Sequence, residues 1–226
     1  MTYDNITKAI FISRPNRFIA QVRRDDGTEE TVHVKNTGRC KELLIPECTV
    51  YLEKSDNPNR KTRYDLVAVE KETSQGTKLF NIDSQAPNKV VLEWLQKQDF
   101  SLIKPEYTFG KSRFDFYLEK IDKKTGKTEK ILMEVKGCTL EIDGIGYFPD
   151  APTERGVKHL NELAAAISEG YKGILAFVIQ MEGVEKVLPN TKTHPEFAIA
   201  LENAKTSGVE VLFLQCRVKA DELEIV

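Results

Sequence analysis

The chain has 226 residues, 40% of them hydrophobic and 30% charged, with a formal net charge of −2, an ordinary soluble composition with room for one large domain or two small ones. Its longest apolar runs, such as Ile174–Ile179, are far shorter than the roughly 20 residues a membrane-crossing helix needs, so no membrane partner is expected. The start, Met1-Thr-Tyr-Asp-Asn5, lacks the basic-then-apolar pattern of a secretory signal. Cys40, Cys48, Cys138 and Cys216 are scattered with no C-x-x-C pair, which argues against zinc and a disulfide framework and points to a reducing cytoplasm.

Charge is distributed unevenly. Residues 1–82 hold 14 Lys+Arg against 12 Asp+Glu, and the remainder 19 against 23. Seven of the ten arginines (Arg14, Arg17, Arg23, Arg24, Arg39, Arg60 and Arg63) lie in the first part. Guanidinium grips phosphate in a bidentate way that lysine cannot, so this part is a candidate nucleic-acid surface. A merely solvated face is the alternative.

In chain order, short alternating runs come first. Lys8–Ser13, Phe18–Arg23, Glu30–Lys35, Thr49–Lys54, Tyr64–Glu70 and Lys78–Ile82 read as strands separated by turn residues, without a convincing helix. Strands of this number and length predict a small OB-like β-barrel over 1–82, a shape that often binds oligonucleotides. From residue 83 the pattern changes. Asn88–Gln98 carries apolar residues at helical spacing, and Leu102–Phe109 reads as a strand. A hairpin follows, then a loop over Glu141–Pro152. Thr153 caps a helix to about Ser168, Lys172–Gln180 reads as a buried parallel strand, Glu196–Thr206 as a helix and Val209–Arg217 as a last strand. This order predicts an α/β domain over 83–226, a mixed sheet with helices on its faces.

The hairpin is the most informative segment. Its arms are Ser112–Leu118 and Ile131–Lys136. Alternation predicts Phe114, Phe116 and Leu118 on one face, Arg113, Asp115 and Tyr117 on the other, and Glu134 with Lys136 turned away from the core. If the link folds about Lys124 and Thr125, residues summing to 249 pair and Asp115 lies opposite Glu134. Facing carboxylates repel across a ladder, and a divalent cation between them removes the conflict. Mg²⁺ or Mn²⁺ held by Asp115, Glu134 and the carbonyl of residue 135 activates a water and polarises a phosphate, and Lys136 orients that water or offsets charge on the phosphorane. Glu93 is a candidate outer acidic ligand, or else an exposed helical residue pairing with Lys97. A cross-strand salt network is the bland reading of Glu134 and Lys136. Arg155, Lys158 and His159 occupy the first turns of the helix after Thr153, where amides favour anions, so phosphate grip competes with exposed helix charge. Arg113 precedes the first acid, and Arg39 closes the turn Asn36-Thr-Gly-Arg39.

Taken together, Arg14-Pro-Asn-Arg-Phe18, Asn36-Thr-Gly-Arg39, Ser112-Arg-Phe-Asp-Phe116, Glu134-Val-Lys136 and Phe148-Pro-Asp-Ala-Pro-Thr-Glu-Arg-Gly156 with Lys158-His159 resemble the sugar fermentation stimulation protein A family over essentially the whole chain. The resemblance implies an N-terminal OB-like domain and a C-terminal domain similar to PD-(D/E)XK nucleases. The superfamily's motif acid then maps onto Asp115, its E-x-K onto Glu134 and Lys136, and a helix acid onto Glu93. The proline that precedes the first acid in that superfamily is replaced by Phe114. The resemblance also implies binding to DNA and a role near maltose-type sugar metabolism genes, although no residue speaks for regulation. Two functions therefore compete: a metal-dependent nuclease, and a non-catalytic DNA-binding regulator contacting nucleic acid through Arg14, Arg17, Arg39, Arg113, Arg155, Lys158 and His159. A sugar-handling enzyme finds no glycine-rich phosphate loop and no nucleophile elbow to support it.

Overall fold

The computed structural model describes residues 1–73 and 76–226. The N-terminal part is a closed barrel of β1 (Ile6–Asn16), β2 (Ile19–Arg24), β3 (Glu29–Val34), β4 (Thr49–Lys54) and β5 (Tyr64–Thr73). Neighbours run β3-β2-β1-β4-β5, and a parallel β3–β5 pairing (His33↔Asp65, Val34↔Leu66) closes the circle, the OB arrangement. Alternation explains the barrel: Ala9 and Phe11 of β1, Ala20 and Val22 of β2, and Val32 and Val34 of β3 all point inward. β6 (Gly76–Asn81) pairs with β5 and leads the chain out.

The second part is a six-stranded mixed sheet ordered β15-β14-β12-β9-β8-β7. Its members are β7 (Leu102–Phe109), β8 (Ser112–Ile121), β9 (Thr128–Cys138), β12 (Lys172–Ile179), β14 (Glu210–Lys219) and β15 (Glu222–Ile225). β9, β12 and β14 run parallel; every other pair is antiparallel. β12 is buried from Gly173 onward, as a central parallel strand covered on both faces must be. α1 (Ala86–Leu95) covers one face, packing Val90, Val91 and Leu95 on Phe116, Leu118 and Met133. α2 (Glu154–Ser168) and α3 (Pro195–Thr206) cover the other, on Phe114, Leu132 and Phe177. The Thr153 hydroxyl accepts the Gly156 N–H at 3.0 Å and starts α2 at the expected cap.

Three expectations need correction. Phe114 does not share a face with Phe116 and Leu118; it packs with Tyr117 and Leu132 beneath α2. β7 bends at Glu106 (φ 54°), and the β7–β8 ladder passes from Pro105↔Phe116 to Tyr107↔Phe114 without pairing Glu106 to Asp115, so alternation breaks there. Nor do Glu134 and Lys136 turn away from packed protein. Their face lies under α2, and Glu134 is only 2% exposed. The stretch over Glu141–Pro152 is not all loop either: β10 (Leu140–Ile142) and β11 (Ile145–Phe148) form a hairpin there, joined in parallel by β13 (Val187–Pro189).

The barrel and the sheet share one apolar cluster, running from Phe11, Val22 and Phe80 in the barrel to Ile179, Met181 and Val187 beyond it. Asn81, Ile82 and Asp83, which connect the two, are all 0% exposed.

Candidate functional site

The β8–β9 register puts the acids together. Its last pair is Phe116↔Met133, so Asp115 and Glu134 are the next residues beyond the end of the ladder. Here a side chain takes over from the ladder: Asp115 Oδ2 accepts the Val135 N–H at 2.7 Å, while Oδ1 accepts from Asn88 Nδ2 of α1 at 2.8 Å. Burial first, and then the Glu134 charge, push the Asp115 carboxyl above its ordinary value. The two acids lie within electrostatic reach of each other, a repulsion that a cation between them would ease.

Glu134 is held from two sides. Its Oε1 receives both the Lys136 ammonium and His159 Nδ1. Burial acts to raise this carboxyl, but the His159 hydrogen bond and the Lys136 charge outweigh it, and the group sits below the ordinary carboxylate value. Arg155 Nε donates to His159 Nε2 at 3.4 Å, which leaves the imidazole proton on Nδ1, directed at Glu134. Glu134 Oε2 is buried with no hydrogen-bond partner among the described residues. A buried carboxylate oxygen without a donor costs stability unless something else meets it. With Asp115, the carbonyl of Val135 and this orphan oxygen, the donors are all hard oxygens, which suits a divalent cation of the Mg²⁺ type. No group of three or more His, Cys, Asp or Glu arranged to hold a metal occurs among the described residues. Two carboxylates would be the side-chain share of a Mg²⁺ site of the kind held partly through waters and phosphate.

Glu93 is not brought to this cluster. It lies farther along α1 and takes the amino group of Met1 at 2.7 Å, while Lys97 pairs with Glu224 at 3.7 Å. From α1 it is Asn88, an exposed residue that nothing in the sequence pattern singles out, that reaches the acids.

The basic residues divide. Beside His159, a cleft of about 510 Å³ is lined by Lys111, Ser112, Arg113, Arg155 and Lys158, with Glu154 as its one acid. Among the described residues Arg113 pairs with Glu106 alone, at 3.7 Å, and the Ser112 hydroxyl in the wall is buried without a partner. In the barrel, Arg14 is spent on structure: its guanidinium donates to the carbonyls of Asn36, Arg17, Arg39 and Gly38 at 2.6–3.0 Å. Both terminal nitrogens are taken and Nε is buried, so the guanidinium is turned into the protein and away from a bound phosphate. Arg17 and Arg39 are exposed and line a groove of about 320 Å³ with Lys41; Arg17 lies 5.0 Å over the ring of Phe18, itself 49% exposed.

Comparison with known proteins agrees with this architecture. Residues 12–77 match the SfsA N-terminal OB domain, and residues 85–222 the sugar fermentation stimulation protein RE domain. Curated relatives called sugar fermentation stimulation protein homolog include one from Desulfitobacterium hafniense (strain Y51), 53% identical over 227 residues, covering 99% of this chain and 95% of that protein. Another, from Clostridium beijerinckii, is 53% identical over 229 residues, covering 100% and 96%. Among solved structures, Pyrococcus furiosus SfsA in complex with Ca²⁺ superposes with a TM-score of 0.81 at 28% identity, covering 100% of this chain and 96% of that one. With a closed OB barrel, a mixed sheet and half its sequence in common with such relatives, the chain belongs to the sugar fermentation stimulation protein family.

Proposed function

We propose that this protein is a divalent-metal-dependent nuclease acting on DNA. The observation that carries the reading is the orphan Oε2 of Glu134, buried near Asp115 and beside Lys136. The relative from Pyrococcus furiosus was solved in complex with Ca²⁺, another hard divalent cation, which supports divalent-metal binding by this family. Mg²⁺ or Mn²⁺ bound here supplies an activated water and polarises the scissile phosphate. The chain's own groups do the rest. Asn88 and the Val135 N–H fix Asp115, and His159 and Lys136 fix Glu134. The Lys136 ammonium stands where it can orient a water and offset charge on a five-coordinate phosphate. Arg113, Arg155 and Lys158 line the cleft beside His159 and are suited to grip neighbouring phosphates. The four cysteines are all free thiols, which suits a reducing cytoplasm.

The test is cleavage of labelled single- and double-stranded DNA and RNA with Mg²⁺ or Mn²⁺. Asp115→Asn and Glu134→Gln are each expected to slow it about 100-fold or more. Wild-type protein inert with both metals on every substrate, or variants as active as wild type, would overturn the reading. A second reading, a DNA-binding regulator without cleavage, draws on the groove of Arg17, Arg39 and Lys41 beside exposed Phe18. It predicts salt-sensitive binding indifferent to Asp115→Asn and no cleavage.

A further inference from the structure

One residue past Lys136, a separate cavity opens between barrel and sheet. It holds about 280 Å³ and is walled by Asn36, Thr37 and Gly38 of the barrel and by Gly137, Thr139, Tyr147, Asp150, Ala151 and Gln180 of the sheet side. Its character is opposite to that of the cleft beside His159. No lysine or arginine lines it, and its one charged group is Asp150. A phosphate would meet a carboxylate here and no counter-charge.

Among the described residues, two acceptors on its wall are unpaired, beside hydroxyls from Thr37, Ser84, Thr139 and Tyr147. The Gln180 amide nitrogen is used up on Asn81 and Asp83, at 2.9–3.2 Å, leaving Oε1 without a hydrogen bond among the described residues. Asp150 Oδ2 accepts the Cys40 N–H at 3.0 Å, and its Oδ1 has no partner among them. Flat apolar surface comes from Tyr147, Phe148, Pro149 and Pro152, with Phe148 fixed against Phe177 and Phe197 at ring distances of 5.6 and 5.1 Å. Glycine backbone forms two edges. A Cβ on Gly38 would lie 2.8 Å from Asp150 Oδ2, and one on Gly137 2.3 Å from Gln180 Oε1. The cavity begins three residues from Glu134, roughly 10 Å along the strand.

We infer that this cavity receives an unpaired nucleobase bearing an exocyclic amino group, from the strand whose phosphate lies at Glu134. This rests on the nuclease reading of the site and adds its substrate class: nucleic acid with a nucleotide free of its pairing partner. A neutral ring of this size gives up its stack for apolar walls, and its amino hydrogens meet Gln180 Oε1 and Asp150 Oδ1. Adenine, cytosine and guanine carry that group. Thymine offers a single ring N–H flanked by carbonyls, which the acceptors repel.

The experiment measures binding of fluorescent DNA duplexes to the full-length wild-type protein in EDTA, where no cleavage occurs. The duplexes share one sequence and are fully paired, or carry a single bulged adenosine, thymidine or abasic residue. The adenosine bulge is expected to bind about tenfold more tightly than the other three, the worth of one or two hydrogen bonds. Ala151→Trp and Thr37→Trp, which fill the cavity from its two sides, are expected to abolish the preference and leave binding of the paired duplex and the melting temperature unchanged. Equal binding of all four duplexes, or a preference that survives both variants, overturns the inference; cleavage with metal in that case leaves the nuclease reading standing. Absence of both binding and cleavage overturns both. Binding of free adenosine without discrimination among duplexes overturns it in favour of a small-molecule site.

Discussion

At the scale of single residues, the type of side chain says less than what its atoms are already bound to. Arg14 and Arg17 sit three apart in one turn, and both are arginines that suit a phosphate. Four backbone carbonyls claim the guanidinium of Arg14, whereas that of Arg17 lies over an exposed ring. Arg14→Ala is therefore expected to cost about 2–3 kcal/mol of stability in denaturant unfolding. Arg17→Ala and Arg39→Ala should leave the unfolding midpoint alone and each lower the salt slope of DNA binding by about 1. Loss of stability on removing Arg17 instead would reverse this assignment. The same contrast separates Glu134 from Glu93: one is buried with an oxygen left over, the other half-exposed and satisfied by Met1.

Among elements, glycine turns set what can be aimed at the site. The β10–β11 hairpin, which carries Tyr147 into the interdomain cavity, turns on Asp143 (φ 52°) and Gly144 (φ 80°). Gly144→Ala should cost about 1 kcal/mol, seen as a lowered melting temperature, because a Cβ strains that backbone. Asp-Gly is among the strongest hairpin signals a chain can carry, yet the surrounding glycines and prolines made this stretch read as a loop. The register of β8 on β9 was legible: a polar link with a turn residue fixes which residues pair, down to Phe116↔Met133. The N-terminal cap of α2, Thr153, could also be read directly. What alternation alone could not show was the bend at Glu106, which sends Phe114 beneath α2, or the helix that roofs Glu134; both depend on contacts between segments far apart in the chain. Asn88 escaped for the same reason, since its role exists only where α1 passes over β8.

For the molecule as a whole, the joint between barrel and sheet carries both charge and apolar packing. Asp65, 3% exposed, is bound by Arg60, His33 and Lys35, and Lys35 also reaches Asp83 at 3.5 Å. Burial alone would raise the Asp65 carboxyl, but the Arg60 and His33 hydrogen bonds and the Lys35 charge bring it down to about 2. A carboxylate held below its unfolded value of about 3.9 adds stability that is complete above that pH and drains away as pH falls toward 2. The loss over that interval should be on the order of 1–2 kcal/mol after solvent screening, and Asp65→Asn should flatten it in acid titrations of the unfolding free energy. The apolar cluster common to both parts has a separate outcome. With Asn81, Ile82 and Asp83 shut away from water, there is no tether here to cut. Heating should produce one calorimetric peak rather than two, and each half expressed by itself would bare a wet hydrocarbon wall and clump.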